Sequence, residues 1–163
     1  VPVYAEEYVA QRLRERIPYC FTEQLYPGVP RILLEEVTPG VPFYVSNTEG
    51  KQVEILPIRV MHGKLPIVGF RIENFVYITD MKTIPEEELP LLEGVEYMII
   101  NGLRHKEHPT HQTIANAISF ARQLGVKETW IVHMSHHIKP HADEEKNLPS
   151  DIHLAYDGEV ITF

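Results

Sequence analysis

Three apolar runs in this chain each end in a side chain able to hold a metal ion, and that repeated placement constrains the fold most. Trp130-Ile131-Val132 reads as a buried strand that delivers His133, with His136 and His137 close behind. The longer strand predicted over Val53 to Val60 runs straight into Met61-His62-Gly63. Phe75 to Thr79, apolar almost throughout, stops at Asp80. Loops leaving strand ends are where scaffolds hold chemistry. A carboxylate at the end of a buried strand is expensive unless it is paired, hydrogen-bonded or metal-bound. Imidazole is a common metal ligand and titrates near neutral pH. Two imidazoles with one carboxylate suit zinc, manganese or iron. Singly, Asp80 could cap the following segment and His62 could be a satisfied histidine before a glycine turn. The same placement three times favours a site.

The rest of the chain supplies a frame. Val1 to Ala5 alternates as a strand does, and Glu6 to Arg16 has helical spacing, with acidic residues first and arginines last. Tyr26-Pro27-Gly28 is predicted as a turn, Ile32 to Val37 and Phe43-Tyr44-Val45 as strands, and Pro39-Gly40 and Asn47 to Gly50 as turns. Pro57 inside Val53 to Val60 implies an edge or a bulge. Ile67 to Ile72 and Phe75 to Thr79 read as a hairpin around Glu73-Asn74. Pro85 to Leu92 is a short helix and Val95 to Ile100 a buried strand. Thr110 is a candidate cap for a helix that puts His111 in its first turn, with Ile114, Ala117, Ile118, Ala121 and Leu124 on one face and Gly125 at its end. Lys139 to Ser150 is polar and loop-like, and Ile152 to Ala155 with Glu159 to Phe163 predicts a closing hairpin over Asp157-Gly158. Early consecutive strands, then strands alternating with helices, imply two sheets or one mixed sheet covered by helices. No repeat or linker divides residues 1–163, so one domain is expected.

Composition excludes some functions. A formal net charge of −8 offers no platform for non-specific binding to nucleic acid or anionic membrane. The runs Glu86-Glu87-Glu88 and Asp143-Glu144-Glu145 read as solvated faces. No apolar stretch is long enough to span a bilayer. A single cysteine, Cys20, permits no internal disulfide and fits a cytoplasmic setting. Of nine histidines, all but His62 fall between His105 and His153.

Met61-His62-Gly63, Ile78-Thr79-Asp80, His108-Pro109-Thr110-His111 and Val132-His133-Met134-Ser135-His136 occur in an order that resembles the metallo-β-lactamase superfamily. The nearest branch is the cyclic phosphodiesterase of phosphonate breakdown, with its tRNase Z-like relatives. The resemblance runs from Val1-Pro2-Val3-Tyr4-Ala5 to Tyr156-Asp157-Gly158. It implies an αββα sandwich with two divalent metal ions, zinc or manganese, at one edge. In that pattern His62, Asp80 and His133 resemble metal ligands, with Asp80 bridging. His111 resembles the histidine that protonates the leaving oxygen, and His136 is expected to hold His133 or to touch the phosphate. His137, His141 and His153 are read as surface residues.

The superfamily's His-x-His-x-Asp-His motif does not occur in these 163 residues. Its place is upstream of the segment matching Val1 to Ala5, so the chain reads as the C-terminal part of a longer protein, with apolar surface that favours a homodimer. Asn101 is a smaller departure, at a position where relatives often carry aspartate. The expected activity is hydrolysis of a small cyclic or sugar phosphodiester. Alternatives are a non-catalytic scaffold of the same fold and a thioester or lactone hydrolase. His111 separates the first expectation from the last, because a dedicated proton donor is most useful for a poor alkoxide leaving group.

Overall fold

The strands that end in His62, Asp80 and His133 belong to one sheet. The computed structural model describes residues 1–22 and 27–163. Its strands and α-helices are β1 (Pro2–Ala5), α1 (Glu7–Arg16), β2 (Leu33–Glu36), β3 (Phe43–Ser46), β4 (Gln52–His62), β5 (Leu65–Ile72), β6 (Phe75–Ile78), β7 (Tyr97–Asn101), α2 (Ile114–Leu124), β8 (Glu128–Val132), α3 (His141–Glu145) and β9 (Ile152–Leu154), with short 3-10 helices at Pro18–Cys20 and Glu86–Leu92. β3 to β9 form a seven-stranded sheet in sequence order, and β1 pairs β2 in a separate two-stranded parallel sheet. Neighbours from β3 to β6 are antiparallel; those from β6 to β9 are parallel. The mixed α/β architecture agrees with the metallo-β-lactamase-like expectation.

Local chemistry explains the connections. β4 and β5 are joined through Gly63-Lys64, and Gly63 takes φ +62°, a left-handed conformation cheap only for glycine. Pro57 sits on β4 beyond the end of its pairing with β3, so its missing N–H faces no strand. On that free edge the Pro57 carbonyl accepts from Gly40 N–H, and the Arg59 N–H donates to Glu88 Oε2. The parallel strands carry the core: Val76, Ile78, Met98 and Ile100 are fully buried, with Ala117, Phe120 and Ala121 of α2 packed on them. Burying each large apolar side chain contributes about 1.5–3 kcal/mol. Among the described residues, no helix is long and apolar enough to cross a membrane.

Four expectations need correction or a limit. Thr110 caps nothing; the cap is Thr113, whose Oγ1 accepts from Asn116 N–H at 3.1 Å, so α2 begins after His111. Lys139 to Ser150 contains α3, because Glu144 buries its carboxylate against His105 Nε2 at 2.8 Å instead of facing solvent. The closing hairpin does not form. β9 pairs parallel with β8, and residues 159–163 are held by side chains: Trp130 Nε1–H donates to Glu159 and Phe163 stacks on Phe75. Of the Tyr26-Pro27-Gly28 turn, Tyr26 lies outside the described residues, and Pro27-Gly28 turns.

His153, expected at the surface, is half-buried between Glu128 and Glu145, its Nε2 2.9 Å from Glu128 Oε2. Burial works against its charged form, but the hydrogen bond and charge of Glu128, then of Glu145, outweigh it and raise the pKa above 6.5. A raised folded-state pKa stabilises the fold below the unfolded value, and that stability is lost as pH rises through the folded one. Denaturant titrations should therefore show His153→Gln less stable than the parent by up to about 1 kcal/mol at mildly acid pH. The gap should close at pH well above 6.5. A gap independent of pH would show that packing against Trp130 dominates.

Candidate metal centre

Asp80, His111 and His133 meet where β6 and β8 end, as expected of an α/β sheet whose parallel strands present their carboxyl ends to ligands. Asp80 follows β6, His133 follows β8, His62 ends β4, and His111 hangs on the loop between β7 and α2. The His111 Nε2–H donates to Asp80 Oδ1 at 3.1 Å. His133 Nε2 lies 3.1 Å from the same Oδ1 and 3.1 Å from His111 Nε2. His62 packs edge-on against His111, ring centroids 4.5 Å apart. One donor atom from each of His62, Asp80 and His111 falls within 4.8 Å of the others.

The backbone is bent to make this arrangement. Asp80 and His133 both take φ +59°, in the left-handed region that non-glycine residues rarely enter. Such conformations cluster at functional sites, where neighbouring structure holds them in place. Asp80 also accepts at its backbone: its carbonyl is 2.7 Å from His62 Nδ1. A carbonyl can only accept, so Nδ1 carries the proton and the lone pair of His62 is on Nε2. A metal-ligating imidazole is typically oriented in this way.

Asp80 is partly buried, which alone would raise its pKa. The His111 hydrogen bond, the charge of His133 and the Thr79 hydroxyl outweigh burial and hold it below the ordinary carboxylate value. His108 is pushed the other way from a cation: burial, then the charge of His111, lowers its pKa. His108 Nδ1 accepts the Thr110 N–H at 3.3 Å and lies 3.1 Å from His111 Nδ1. Thr110 Oγ1 is 3.0 Å from His111 Nδ1. His111 thus faces groups that can accept a proton at both ring nitrogens.

Of the residues singled out in the sequence, the structure brings together His62, Asp80, His111 and His133. It does not bring His136 to them: that ring is exposed and packs on His137, centroids 4.0 Å apart. His108, Thr110 and Asn101 carried no site role in the sequence. The three-residue spacing of His108 and His111 was the available signal for the first. For Asn101 the signals were its place at the end of a buried strand and the aspartate that relatives often carry there.

The donor set fits a divalent cation. Donors around a tetrahedral ion with bonds of about 2.0–2.2 Å lie about 3.3–3.6 Å apart. The 3.1 Å between Asp80 Oδ1 and His133 Nε2 is close to one edge of such a set, and His62 offers a further donor atom within 4.8 Å of an Asp80 oxygen. A cleft of about 420 Å³ opens beside the cluster, lined by His62 and Asp80 with Tyr4, Val9, Ile67 and Phe70.

Solved structures share this architecture. A chain described as a new diphosphatase from the PhnP family is 31% identical, with a TM-score of 0.81; the match covers 98% of this chain and 56% of that one. Human tRNase Z, short form, is 18% identical with a TM-score of 0.63, covering 99% of this chain and 66% of that one, and shows the fold alone. The metallo-β-lactamase fold protein YhfI of Bacillus subtilis does the same at 16% identity and TM-score 0.66, over 97% of this chain and 63% of that one. An octanoyltransferase of Porphyromonas gingivalis is 43% identical over 157 residues, 96% of this chain but 31% of that protein. The chain thus spans under a third of the length of that relative and just over half of the diphosphatase. The sequence profile described as the beta-lactamase superfamily domain matches residues 1–134, and the chain belongs to that family.

Proposed function

We propose that the protein to which these residues belong is a metal-dependent hydrolase of a small phosphodiester. His62, Asp80 and His133 hold divalent metal, zinc or manganese, and His111 is the general acid. The observation that carries the reading is the convergence of Asp80 Oδ1, His111 Nε2 and His133 Nε2 at 3.1 Å spacing. Divalent ions held there supply charge that stabilises the phosphoryl transition state and lowers the pKa of water. His62 is oriented by its Nδ1–H on the Asp80 carbonyl. As hydroxide derived from water forms a bond to phosphorus and the bond to the leaving oxygen breaks, His111 gives its Nε2 proton to that oxygen. Asp80 Oδ1 accepts the hydrogen bond of that Nε2–H beforehand, and His108 and Thr110 hold the far side of the ring. The 31% identity to a PhnP-family diphosphatase supports phosphoryl chemistry.

A second reading makes His111 a ligand, because its Nε2 is as close to Asp80 as His133 is. Metal content of His111→Ala separates the two. The name octanoyltransferase belongs to a protein of which this chain matches 31%, and acyl transfer is tested in the same assay. Purified protein loaded with zinc or manganese should hydrolyse bis(4-nitrophenyl) phosphate and leave an octanoyl thioester untouched. The reverse result would replace the phosphodiester reading with acyl chemistry. A cytoplasmic homodimer acting on a small molecule completes the proposal. Sedimentation at high concentration should show a species of about twice the mass of whichever single chain is purified.

A further inference from the structure

Asn101 ends β7 and is fully buried, a position where a polar side chain costs stability unless each of its atoms is partnered. Both atoms are. The Met81 N–H donates to Asn101 Oδ1 at 2.8 Å, and Asn101 Nδ2–H donates to the Met81 carbonyl at 2.9 Å. The carboxamide therefore acts as one more strand residue, paired with the peptide that follows Asp80. The same Met81 carbonyl accepts the Gln112 N–H at 3.0 Å, next to His111. Asn101 also sits in register with Val132, the residue before His133. The Asn101 carboxamide thus holds Met81, whose carbonyl also binds the segment after His111, while the Asn101 backbone pairs with the segment before His133. Its two bonds begin one residue beyond Asp80, whose φ of +59° the chain would otherwise relax.

We infer that Asn101 is a positioning residue: its carboxamide fixes the Met81 peptide and thereby aims the Asp80 carboxylate at His111 and His133. The inference rests on the proposed role of Asp80 as a ligand. An ionised aspartate at 101 could not serve, because it has no donor for the Met81 carbonyl and would set two acceptors against each other. A protonated one could restore both bonds.

The test uses Asn101→Ala and the isosteric Asn101→Asp, well below their melting temperatures. Two quantities are read: the His111 ring Nε2–H resonance in metal-free protein, and the zinc dissociation constant by chelator competition. The His153 ring, bound to Glu128 and remote in the chain, serves as an internal control. In Asn101→Ala the protected His111 signal should be lost, the His153 signal kept, and zinc affinity reduced roughly 10–100-fold, as for other residues that orient metal ligands. In Asn101→Asp the loss relative to the parent at the same pH should narrow as pH falls and the carboxyl protonates. If Asn101→Ala fails to fold, the pH dependence of Asn101→Asp decides alone. An unchanged His111 signal and zinc constant, with only a lower melting temperature, would overturn the inference and make Asn101 a core-filling residue. A lost His111 signal in a protein that never binds zinc would keep the positioning role and remove the metal reading.

Discussion

Asp80→Ala should lose metal and activity together. Asp80 Oδ1 is the atom that both His111 Nε2 and His133 Nε2 approach at 3.1 Å, and the Asp80 carbonyl orients His62. The alanine variant keeps that carbonyl, so His62 remains in place and only the carboxylate is removed. Bound metal contributes several kcal/mol of transition-state stabilisation, which corresponds to roughly 10³-fold or more in rate. His133→Ala should behave in the same way, whatever the leaving group. The fold should survive in both, because Asp80 and His133 are partly exposed and the left-handed backbone at each is no worse for alanine by more than about 1 kcal/mol. Elemental analysis beside turnover checks this. Full metal occupancy in Asp80→Ala would move the site elsewhere.

His111→Ala should behave differently. If His111 is the acid, metal content stays at the parent level and turnover falls roughly 10²–10⁴-fold, the usual worth of a positioned proton donor. The loss should shrink for a nitrophenyl diester, whose leaving group needs little protonation, and be full for an alkyl diester. The surroundings favour this outcome: Asp80 Oδ1 accepts at Nε2, and His108 and Thr110 offer acceptors at Nδ1. If His111 is a ligand, metal falls with activity and the leaving group makes no difference. The first-turn helical position expected for His111 is removed by the structure, since α2 starts at Ile114 behind the Thr113 cap.

How far the sequence reached depended on the range of the interaction. Strand periodicity and glycine turns are local, so β4 to β8 and α2 were legible within a few residues, as were the polar residues at their ends. The convergence of His62, Asp80 and His133 was legible because strand ends in one sheet share an edge. What failed was set by partners distant in sequence. Thr110 looks like a cap but its hydroxyl serves His111, and the true cap lies three residues on. Glu144 looks like part of a solvated acidic run, yet it is buried 39 residues from its partner His105. Glu159 to Phe163 has strand composition, but Trp130 and Phe75 hold the segment by side chains. The Asn101 clamp on Met81 spans 20 residues and joins a side chain to a backbone, which no periodicity reports.

The most direct measurement is anomalous diffraction at the zinc edge from crystals of the protein grown with zinc. The account predicts a peak bounded by His62 Nε2, Asp80 Oδ1 and His133 Nε2, each about 2.0–2.2 Å from its centre. A zinc peak elsewhere, or none at this cluster in crystals that bind zinc, would contradict it.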